Sequence, residues 1–366
     1  MSASLEAEHL YKVFGRRPDK AVERLRRGAD REELRADGTT AAVIDASFTV
    51  DPGQIFVVMG LSGSGKSTLL RMLNGLLEPT AGQVRFGGRD LTALTDRELR
   101  EVRARKISMV FQHFALFPHR SVRDNAAYGL AVQGVPRAER ERRADEALAL
   151  CGLAGWEDSW PDELSGGMQQ RVGLARALAT DADLLLMDES FSALDPLIRR
   201  DMQDQLLTLQ QTLKKTIVFI THDLNEAMRL GDRIAVMRDG RIVQTGTAED
   251  ILIRPVDDYV ASFTKDVDRS RVLTAAAVMD TELRGDEADC GCPAATPDTP
   301  FTELCALSAR LPHPVAVRDD ARTLVGVVPR RRLVGFLADA FPGDEQGEPT
   351  VCDGGQDGTK KVTAGA

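Results

Sequence analysis

Short apolar runs alternate with amphipathic segments along most of the chain. Three runs are apolar through their centres: ADLLLMD (182–188), KTIVFIT (215–221) and RIAVMRDG (233–240). Such runs are typical of parallel strands that are covered on both faces. Helical patterns fill 95–106, 137–151 and 166–180, and strand and helix patterns alternate along this part of the chain. This alternation predicts an α/β core with a mostly parallel sheet, helices on both faces and a helical subdomain, within 1–268.

The N-terminal region adds an expected antiparallel β part. Strand signals occupy 5–14, 41–50 and 54–60, and the segment QVRFGG (83–88) suggests a hairpin. A charged, helical insert at 19–38 separates the first two strands, and a helix is expected from Lys66 to about Leu77.

The composition changes after residue 268. Residues 269–300 are expected to form a linker because the second half of this range is rich in Asp, Gly, Pro and Thr. Strand and helix patterns return at 301–340, and the polar segment 341–366 is predicted to be disordered.

Charge and cysteine content exclude some classes of function. The 366 residues carry a formal net charge of -9, which argues against a nucleic-acid-binding protein. Five scattered cysteines favour a reduced, cytosolic chain, and Cys290-Gly-Cys292 lacks the further ligands of a zinc site. No run approaches the ~18 apolar residues of a membrane span, so any membrane action requires another chain.

The segment MGLSGSGKSTLL (59–70) follows a predicted strand and opens a predicted helix. It fits the phosphate-binding pattern G-x-x-x-x-G-K-[ST], in which backbone N–H groups and a helix N-terminus converge on an anion. The sequence therefore predicts an ATP site, with Lys66 on the β- and γ-phosphates and Ser67 on Mg²⁺. The predicted nucleotide-binding residues of this loop are Gly60, Ser62, Gly63, Ser64, Gly65, Lys66, Ser67 and Thr68.

Two acidic residues end the buried strand LLLMD. Asp188 is placed to hold Mg²⁺, and Glu189 is placed to activate the attacking water as a general base. Without the phosphate-binding loop upstream, both would be read as solvated acids at a strand end.

A second expected anion site lies in LSGGMQQ (164–170), where Ser165 caps a helix and Gly166 and Gly167 expose its amides. One nucleotide rarely needs two such sites in one chain. A head-to-tail homodimer explains both, with each nucleotide between the Lys66 loop of one subunit and the Ser165 loop of the other.

Three single residues complete the predicted site. Gln112 is placed to contact Mg²⁺ or the attacking water, His222 the γ-phosphate, and Asp195 the dimer interface. Each alone is more often structural, but their order behind the phosphate-binding loop favours function. The predicted catalytic residues are Lys66, Gln112, Glu189 and His222; the predicted metal ligands are Ser67, Gln112 and Asp188.

In this order, these motifs resemble those of ABC-transporter ATPase subunits over residues 5–265. The resemblance implies a P-loop ABC cassette, a dimer with two enclosed ATP molecules, and an aromatic residue that stacks on adenine. Phe14 in YKVFG fits that position best, and Tyr11 is second. Soluble repair or translation ATPases fit less well, because the chain has neither a long coiled coil nor a second cassette. A P-loop kinase has no use for LSGGMQQ.

A narrower resemblance is to the ATPases of glycine betaine/proline importers. It rests on the insert after LYKVFG, the segment FVVMGLSGSGKSTLLRMLNGLLEPTAGQV, and the segment 159–207 with its continuation from Thr221. It implies a motor subunit at the cytoplasmic face of a bacterial inner membrane, bound to a permease and acting indirectly with a periplasmic or extracellular solute-binding protein. Another solute, such as a polyamine or amino acid, is the alternative. Family members often carry paired CBS modules, whereas only HPVAVRDDARTLVGVVPRRRLVGFL within 301–340 resembles one here.

Overall fold

The computed structural model of the chain describes residues 3–265, 267–282 and 292–337. The chain divides into two compact units, Met1–Val267 and Asp268–Ala366. The α/β class expected from the sequence is confirmed in the first unit, which holds every predicted site residue.

Ten strands of the first unit form two sheets. An antiparallel sheet has the order β2-β1-β4-β5, and a six-stranded sheet has the order β10-β9-β3-β8-β7-β6, parallel except for β10. The strands are β1 (Leu5–Phe14), β2 (Thr40–Val50), β3 (Ile55–Met59), β4 (Ala81–Phe86), β5 (Arg89–Asp90), β6 (Ile107–Val110), β7 (Leu184–Asp188), β8 (Thr216–Thr221), β9 (Arg233–Arg238) and β10 (Arg241–Gly246).

The central strands of the large sheet are buried on both faces. Every residue of β3 and β8 is buried, which explains their continuous apolar sequences. Val57 and Phe219 pack into one apolar cluster, while Phe56 and Val218 pack into another. Successive side chains of a strand point to opposite faces, so the two clusters cover the two sides of the sheet.

Twelve helices accompany the sheets in the described part of this unit. They are α1 (Pro18–Arg26), α2 (Arg31–Ala36), α3 (Lys66–Leu73), α4 (Asp96–Arg105), α5 (Val122–Ala126), α6 (Tyr128–Val132), α7 (Arg137–Leu150), α8 (Gly166–Ala179), α9 (Pro196–Leu213), α10 (Leu224–Leu230), α11 (Ala248–Ile253) and α12 (Asp258–Thr264). Helices α5, α7 and α8 pack together as a helical layer. Helix α3 ends four residues before the predicted Leu77, because Asn74 caps it and Gly75 adopts a left-handed conformation.

The predicted insert consists of α1 and α2. Its apolar residues pack on the outer face of β1 and β2: Ala21, Val22, Leu25 and Leu34 join Tyr11, Val13, Ala41 and Ile44 in one cluster. The insert is therefore anchored to the β-sheet that precedes the phosphate-binding loop.

The second unit contains an antiparallel hairpin and short helices. A 3-10 turn at Arg269–Arg271 is followed by α13 (Ala275–Val278), α14 (Phe301–Arg310), β11 (Val315–Arg318), β12 (Leu324–Val328) and α15 (Arg330–Leu337). The described parts of the expected linker also take part in this unit, because Asp280 bridges to Val327 and Ala295 to Val317. Buried residues such as Leu273 and Val278 anchor the segment despite its polar composition. The CBS resemblance of 301–340 stays a prediction, and the expected disordered tail 341–366 lies outside the described residues.

Candidate functional site

The phosphate-binding loop joins the buried strand β3 to helix α3. Gly60 and Gly65 have φ angles of 153° and 105°, which side chains of L-residues rarely adopt. A Cβ atom at Gly60 would overlap the carbonyl oxygen of Met237, and one at Gly65 would overlap that of Ala42. Both glycines are therefore required for the close packing of the loop against neighbouring backbone.

The ammonium group of Lys66 lies inside this loop. Its Nζ donates to the carbonyl oxygens of Gly60 at 2.8 Å and Leu61 at 3.1 Å, and it lies 3.7 Å from Oε1 of Glu189. Burial lowers the pKa of Lys66, while the charges of Glu189 and Asp188 oppose that shift. The adjoining cavity of about 210 Å³ is lined by Arg31, Ala42, Ser62, Gly63, Gly65, Lys66, Ser67, Thr68 and Glu189.

Two of the predicted metal ligands lie side by side at the start of α3 and the end of β7. The Ser67 hydroxyl donates to Oδ1 of Asp188 at 3.1 Å. Burial raises the pKa of Asp188, and the Ser67 hydrogen bond opposes this. A hydroxyl and a carboxylate are oxygen ligands of the kind that Mg²⁺ prefers, so the residues present fit this ion.

Glu189 lies between two predicted catalytic residues. Its Oε2 is 3.1 Å from Nδ1 of His222, on the side opposite the Lys66 contact. Its backbone has a φ of 44°, and its N–H donates to the carbonyl oxygen of Ile220 on β8 at 3.1 Å. This left-handed turn directs the carboxylate to the edge of the sheet where the phosphate-binding loop also ends.

Gln112 reaches Glu189 through Ser192, a residue that the sequence analysis missed. Nε2 of Gln112 donates to the Ser192 hydroxyl at 3.2 Å, and that hydroxyl donates to the backbone carbonyl of Glu189 at 2.8 Å. Within the described residues, no hydrogen bond joins Gln112 to Ser67 or Asp188. Gln112 thus lies beside Glu189, the predicted general base, rather than on the other predicted metal ligands.

Arg199, on α9, is a second residue that was missed. Its Nη1 donates to Asp223 at 3.3 Å, its Nη2 donates to the Leu194 carbonyl at 3.1 Å, and its Nε lies 3.8 Å from Oε1 of Glu226. The arginine therefore connects the segment around Asp195 with the segment that follows His222.

The second expected anion site is the N-terminus of α8. The Ser165 hydroxyl accepts a hydrogen bond from the N–H of Met168 at 3.4 Å, and Ser165 and Gly166 are exposed. A Cβ atom at Gly167 would lie 2.6 Å from Cγ2 of Ile198. Within the described residues, no hydrogen bond or ion pair joins this segment to the phosphate-binding loop of the same chain.

Asp195 and Phe14 lie at two further positions. Asp195 is the exposed N-cap of α9 and accepts hydrogen bonds from the N–H groups of Leu197 and Ile198, both at 3.1 Å. Phe14, at the end of β1, is 44% exposed, whereas Tyr11 is 5% exposed and packs against the insert. Phe14 is therefore the more exposed of the two candidate rings.

Comparison with known proteins identifies the family. The family described as ABC transporter matches residues 43–192. The chain is 57% identical to the glycine betaine/carnitine transport ATP-binding protein of Listeria monocytogenes over 278 residues, which are 76% of this chain and 70% of that protein. The chain belongs to the ABC transporter ATPase family. The ATPase activity and ATP binding predicted from the sequence follow from this membership.

Other relatives of this ABC ATPase agree with that membership. Over 276 residues it is 54% identical to the glycine betaine/proline betaine transport system ATP-binding protein of Escherichia coli, covering 75% of this chain and 69% of that one. A dimeric ATP-binding cassette bound to ADP and Pi superposes with a TM-score of 0.57 and 30% identity, covering 67% of this chain and 98% of that one. None of the helices in the described ranges has the length and apolar character that a membrane span requires.

Proposed function

We propose that this ABC ATPase drives the import of glycine betaine or a related quaternary-amine osmoprotectant. The observation that carries the proposal is the identity of 54–57%, over three quarters of the chain, to two proteins that are named for glycine betaine transport. The solute itself is selected by other subunits, so this chain supplies the energy for transport.

The geometry supports a direct hydrolytic step. Glu189 takes a proton from the attacking water as the water oxygen bonds to the γ-phosphorus. The bond from that phosphorus to the bridging oxygen of ADP breaks, and ADP and phosphate leave. His222, 3.1 Å from Glu189, holds the carboxylate in line, and Lys66 neutralises charge on the phosphates.

The remaining ligands of the nucleotide are assigned by position. Ser67 and Asp188 would hold Mg²⁺, which supplies charge neutralisation on the phosphates when bound. The backbone N–H groups of 60–68 bind the phosphate oxygens. Phe14 stacks on the adenine, since its ring is the more exposed of the two candidates.

The N-terminus of α8 acts on the nucleotide of a second copy of the chain. Its amides at Ser165, Gly166 and Gly167 lie beside exposed surface, and the helix N-terminus attracts anions. In a head-to-tail homodimer, each γ-phosphate contacts Lys66 and His222 of one subunit and this segment of the other. ATP binding then closes the dimer, with Asp195 at the interface, and hydrolysis opens it.

The movement that closes the dimer is transmitted to a membrane permease by the segment that follows Gln112. Arg176 of α8 donates to the carbonyl oxygens of Phe114 at 3.0 Å and Ala115 at 2.5 Å, so the loop moves with α8. Its apolar residues in FALFPH (114–119) provide the contact with the permease. In this proposal the chain lies on the cytoplasmic face of the inner membrane, and a solute-binding protein acts on the other side.

The test is uptake of labelled glycine betaine at low and high external osmolarity by cells whose other betaine importers are deleted. Cells carrying Lys66→Ala are compared with cells carrying Lys20→Ala, a change in an exposed lysine of the insert. Loss of osmolarity-dependent uptake with Lys66→Ala alone supports the proposal. Absence of osmolarity-dependent uptake in the wild-type cells as well would show that betaine is not the solute, and labelled polyamines and amino acids would be tested next.

A further inference from the structure

The insert that distinguishes this chain reaches the phosphate-binding loop through one arginine. Nη2 of Arg31 donates to the carbonyl oxygen of Gly63 at 3.3 Å, and Nη1 donates to Oδ1 of Asp239 at 3.2 Å. Asp239 lies in the turn between β9 and β10. A single guanidinium group therefore connects the insert, the phosphate-binding loop and a turn of the large sheet.

Local helix formation does not explain an arginine at this position. Asp30 caps α2 by accepting from the N–H of Glu33 at 2.8 Å, and Glu32 and Glu33 occupy the first turn. These acids suit the positive end of a helix, whereas the cation of Arg31, the first helical residue, is disfavoured there. The tertiary contacts with Gly63 and Asp239 are what stabilise the arginine in place.

Arg31 also lines the nucleotide cavity itself. Within the described insert, it is the residue that shares the cavity of about 210 Å³ with Lys66, Ser67 and Glu189. Arg35, one turn along, lines a second cavity of about 780 Å³ that Arg31, Ser62 and Gly63 also line, but it does not line the cavity of about 210 Å³. The two arginines of one short helix thus differ in their contact with the nucleotide site.

We propose that Arg31 is a positioning residue of the ATP site, through which the insert holds the phosphate-binding loop in its nucleotide-binding conformation. The peptide bond is planar, so fixing the Gly63 carbonyl also fixes the direction of the Ser64 N–H. A loop that is held in its bound conformation loses less entropy when the phosphates bind. The inference rests on the proposed nucleotide site and is independent of the transported solute.

The test measures the ATP dissociation constant, KM and kcat of the full-length chain. Arg31→Gln is expected to raise the dissociation constant and KM for ATP roughly three- to tenfold. The kcat of Arg31→Gln stays within about twofold of the wild-type value, because no catalytic group is removed. Arg31→Lys recovers part of the affinity, since its ammonium still donates to the Gly63 carbonyl. Arg35→Gln is the matched control and binds ATP like the wild type.

Further variants separate this inference from the assignment of the site. Asp239→Asn removes the charge that orients Arg31 while keeping a residue that tolerates the φ of 49° at this position, and it is expected to weaken ATP binding in the same direction. If Arg31→Gln does not fold, ATP binding by Asp239→Asn tests the proposal instead. Lys66→Ala loses ATP binding if the proposed site is correct.

Two results would overturn the role of Arg31. The first is wild-type affinity and KM in folded Arg31→Gln while Lys66→Ala loses ATP binding. The second is an equal loss in Arg31→Gln and Arg35→Gln, which would indicate a general effect of the insert. If Lys66→Ala instead keeps wild-type ATP binding, the proposed nucleotide site itself is wrong.

Discussion

Oε2 of Glu189 lies 3.1 Å from Nδ1 of His222, where the adjacent strands β7 and β8 end. The opposite oxygen of the same carboxylate lies 3.7 Å from Nζ of Lys66. The two oxygens of this carboxylate therefore contact the two residues that we propose bind the γ-phosphate. This pairing makes the position of Glu189 depend on His222.

Replacing His222 tests this dependence. We expect His222→Ala to lower kcat by about 10²-fold, because Glu189 and the γ-phosphate both lose a contact that is needed in the transition state. The dissociation constant for ATP stays close to the wild-type value, since Lys66 and the loop amides remain. Steady-state ATPase assays with equilibrium ATP binding measure both, and exposed His9 replaced by Asn is the control. A wild-type kcat in His222→Ala would contradict the assignment.

Lys66 is predicted to reduce the stability of the nucleotide-free protein. Its pKa is lowered by burial, so between that lowered value and 10.5 the unfolded chain binds more protons at this group than the folded chain. The cost of the buried charge is full at pH 7 and diminishes as the pH rises through this window. Lys66→Met should therefore raise the free energy of unfolding by about 1 kcal/mol at pH 7 and abolish ATP binding.

Chemical denaturation of the wild type and Lys66→Met between pH 7 and 10 measures this effect. The difference between the two proteins should shrink as the pH rises. A variant that is less stable than the wild type at pH 7, or whose advantage grows with pH, would contradict the prediction.

Substitutions at Gly167 separate a loss of ATPase activity caused within one chain from a loss caused across the proposed dimer interface. In Gly167→Ala, the new methyl group would lie 2.6 Å from Cγ2 of Ile198, within the segment that we propose binds the partner's nucleotide. We expect ATPase activity to fall at least tenfold, while ATP binding to the single subunit is retained. The double variant Gly167→Ala/Ile198→Ala removes the internal clash, and its activity should remain low. Recovery of wild-type activity in the double variant would show that the clash with Ile198 was the whole cause.

Arg199 compensates the charge of a buried carboxylate, that of Glu226, close to His222. Burial raises the pKa of Glu226, whose partners include Thr221, Gln203 and Arg199. Arg199→Leu leaves this carboxylate without its cation and should lower the free energy of unfolding by about 2–4 kcal/mol at pH 7.

Two comparisons check the Arg199 prediction by urea denaturation. The deficit should decrease from pH 7 to pH 5, because the acid with the raised pKa becomes protonated as the pH falls. Arg199→Leu/Glu226→Gln should recover part of the loss, and exposed Arg200→Leu is the matched control. A deficit that is independent of pH and unchanged in the double variant would contradict this account.

The motifs that the sequence reveals are local in the chain. Each motif spans no more than about ten residues: the phosphate-binding loop, the two acids at the end of β7, and the N-cap of α8. The fold class follows from the buried strands beside them. The sequence therefore predicted the fold of the first unit and the convergence of Lys66, Asp188 and Glu189. The position of His222 beside Glu189 also follows from parallel strands, whose carboxyl ends meet at one edge of the sheet.

The residues that were missed act through partners far away in the sequence. Ser192 bonds to Gln112 across 80 positions, and Arg31 bonds to Asp239 across 208. Arg31 and Arg199 also donate hydrogen bonds to backbone carbonyl oxygens. Every residue carries such an oxygen, so the residue type of the acceptor gives no signal in the sequence. The folded character of the described parts of the expected linker, 269–282 and 292–300, was missed because a few buried residues, such as Leu273 and Val278, outweigh its polar composition.

The most direct test of the central claim is sedimentation of Glu189→Gln with ATP and Mg²⁺. Removing the general base should slow hydrolysis by about 10²-fold or more, so that the ATP-bound state accumulates. We predict a dimer that holds two ATP molecules, which is absent with ADP and absent in Lys66→Ala/Glu189→Gln. A variant that remains monomeric with saturating ATP, or that hydrolyses ATP at the wild-type rate, would contradict the account.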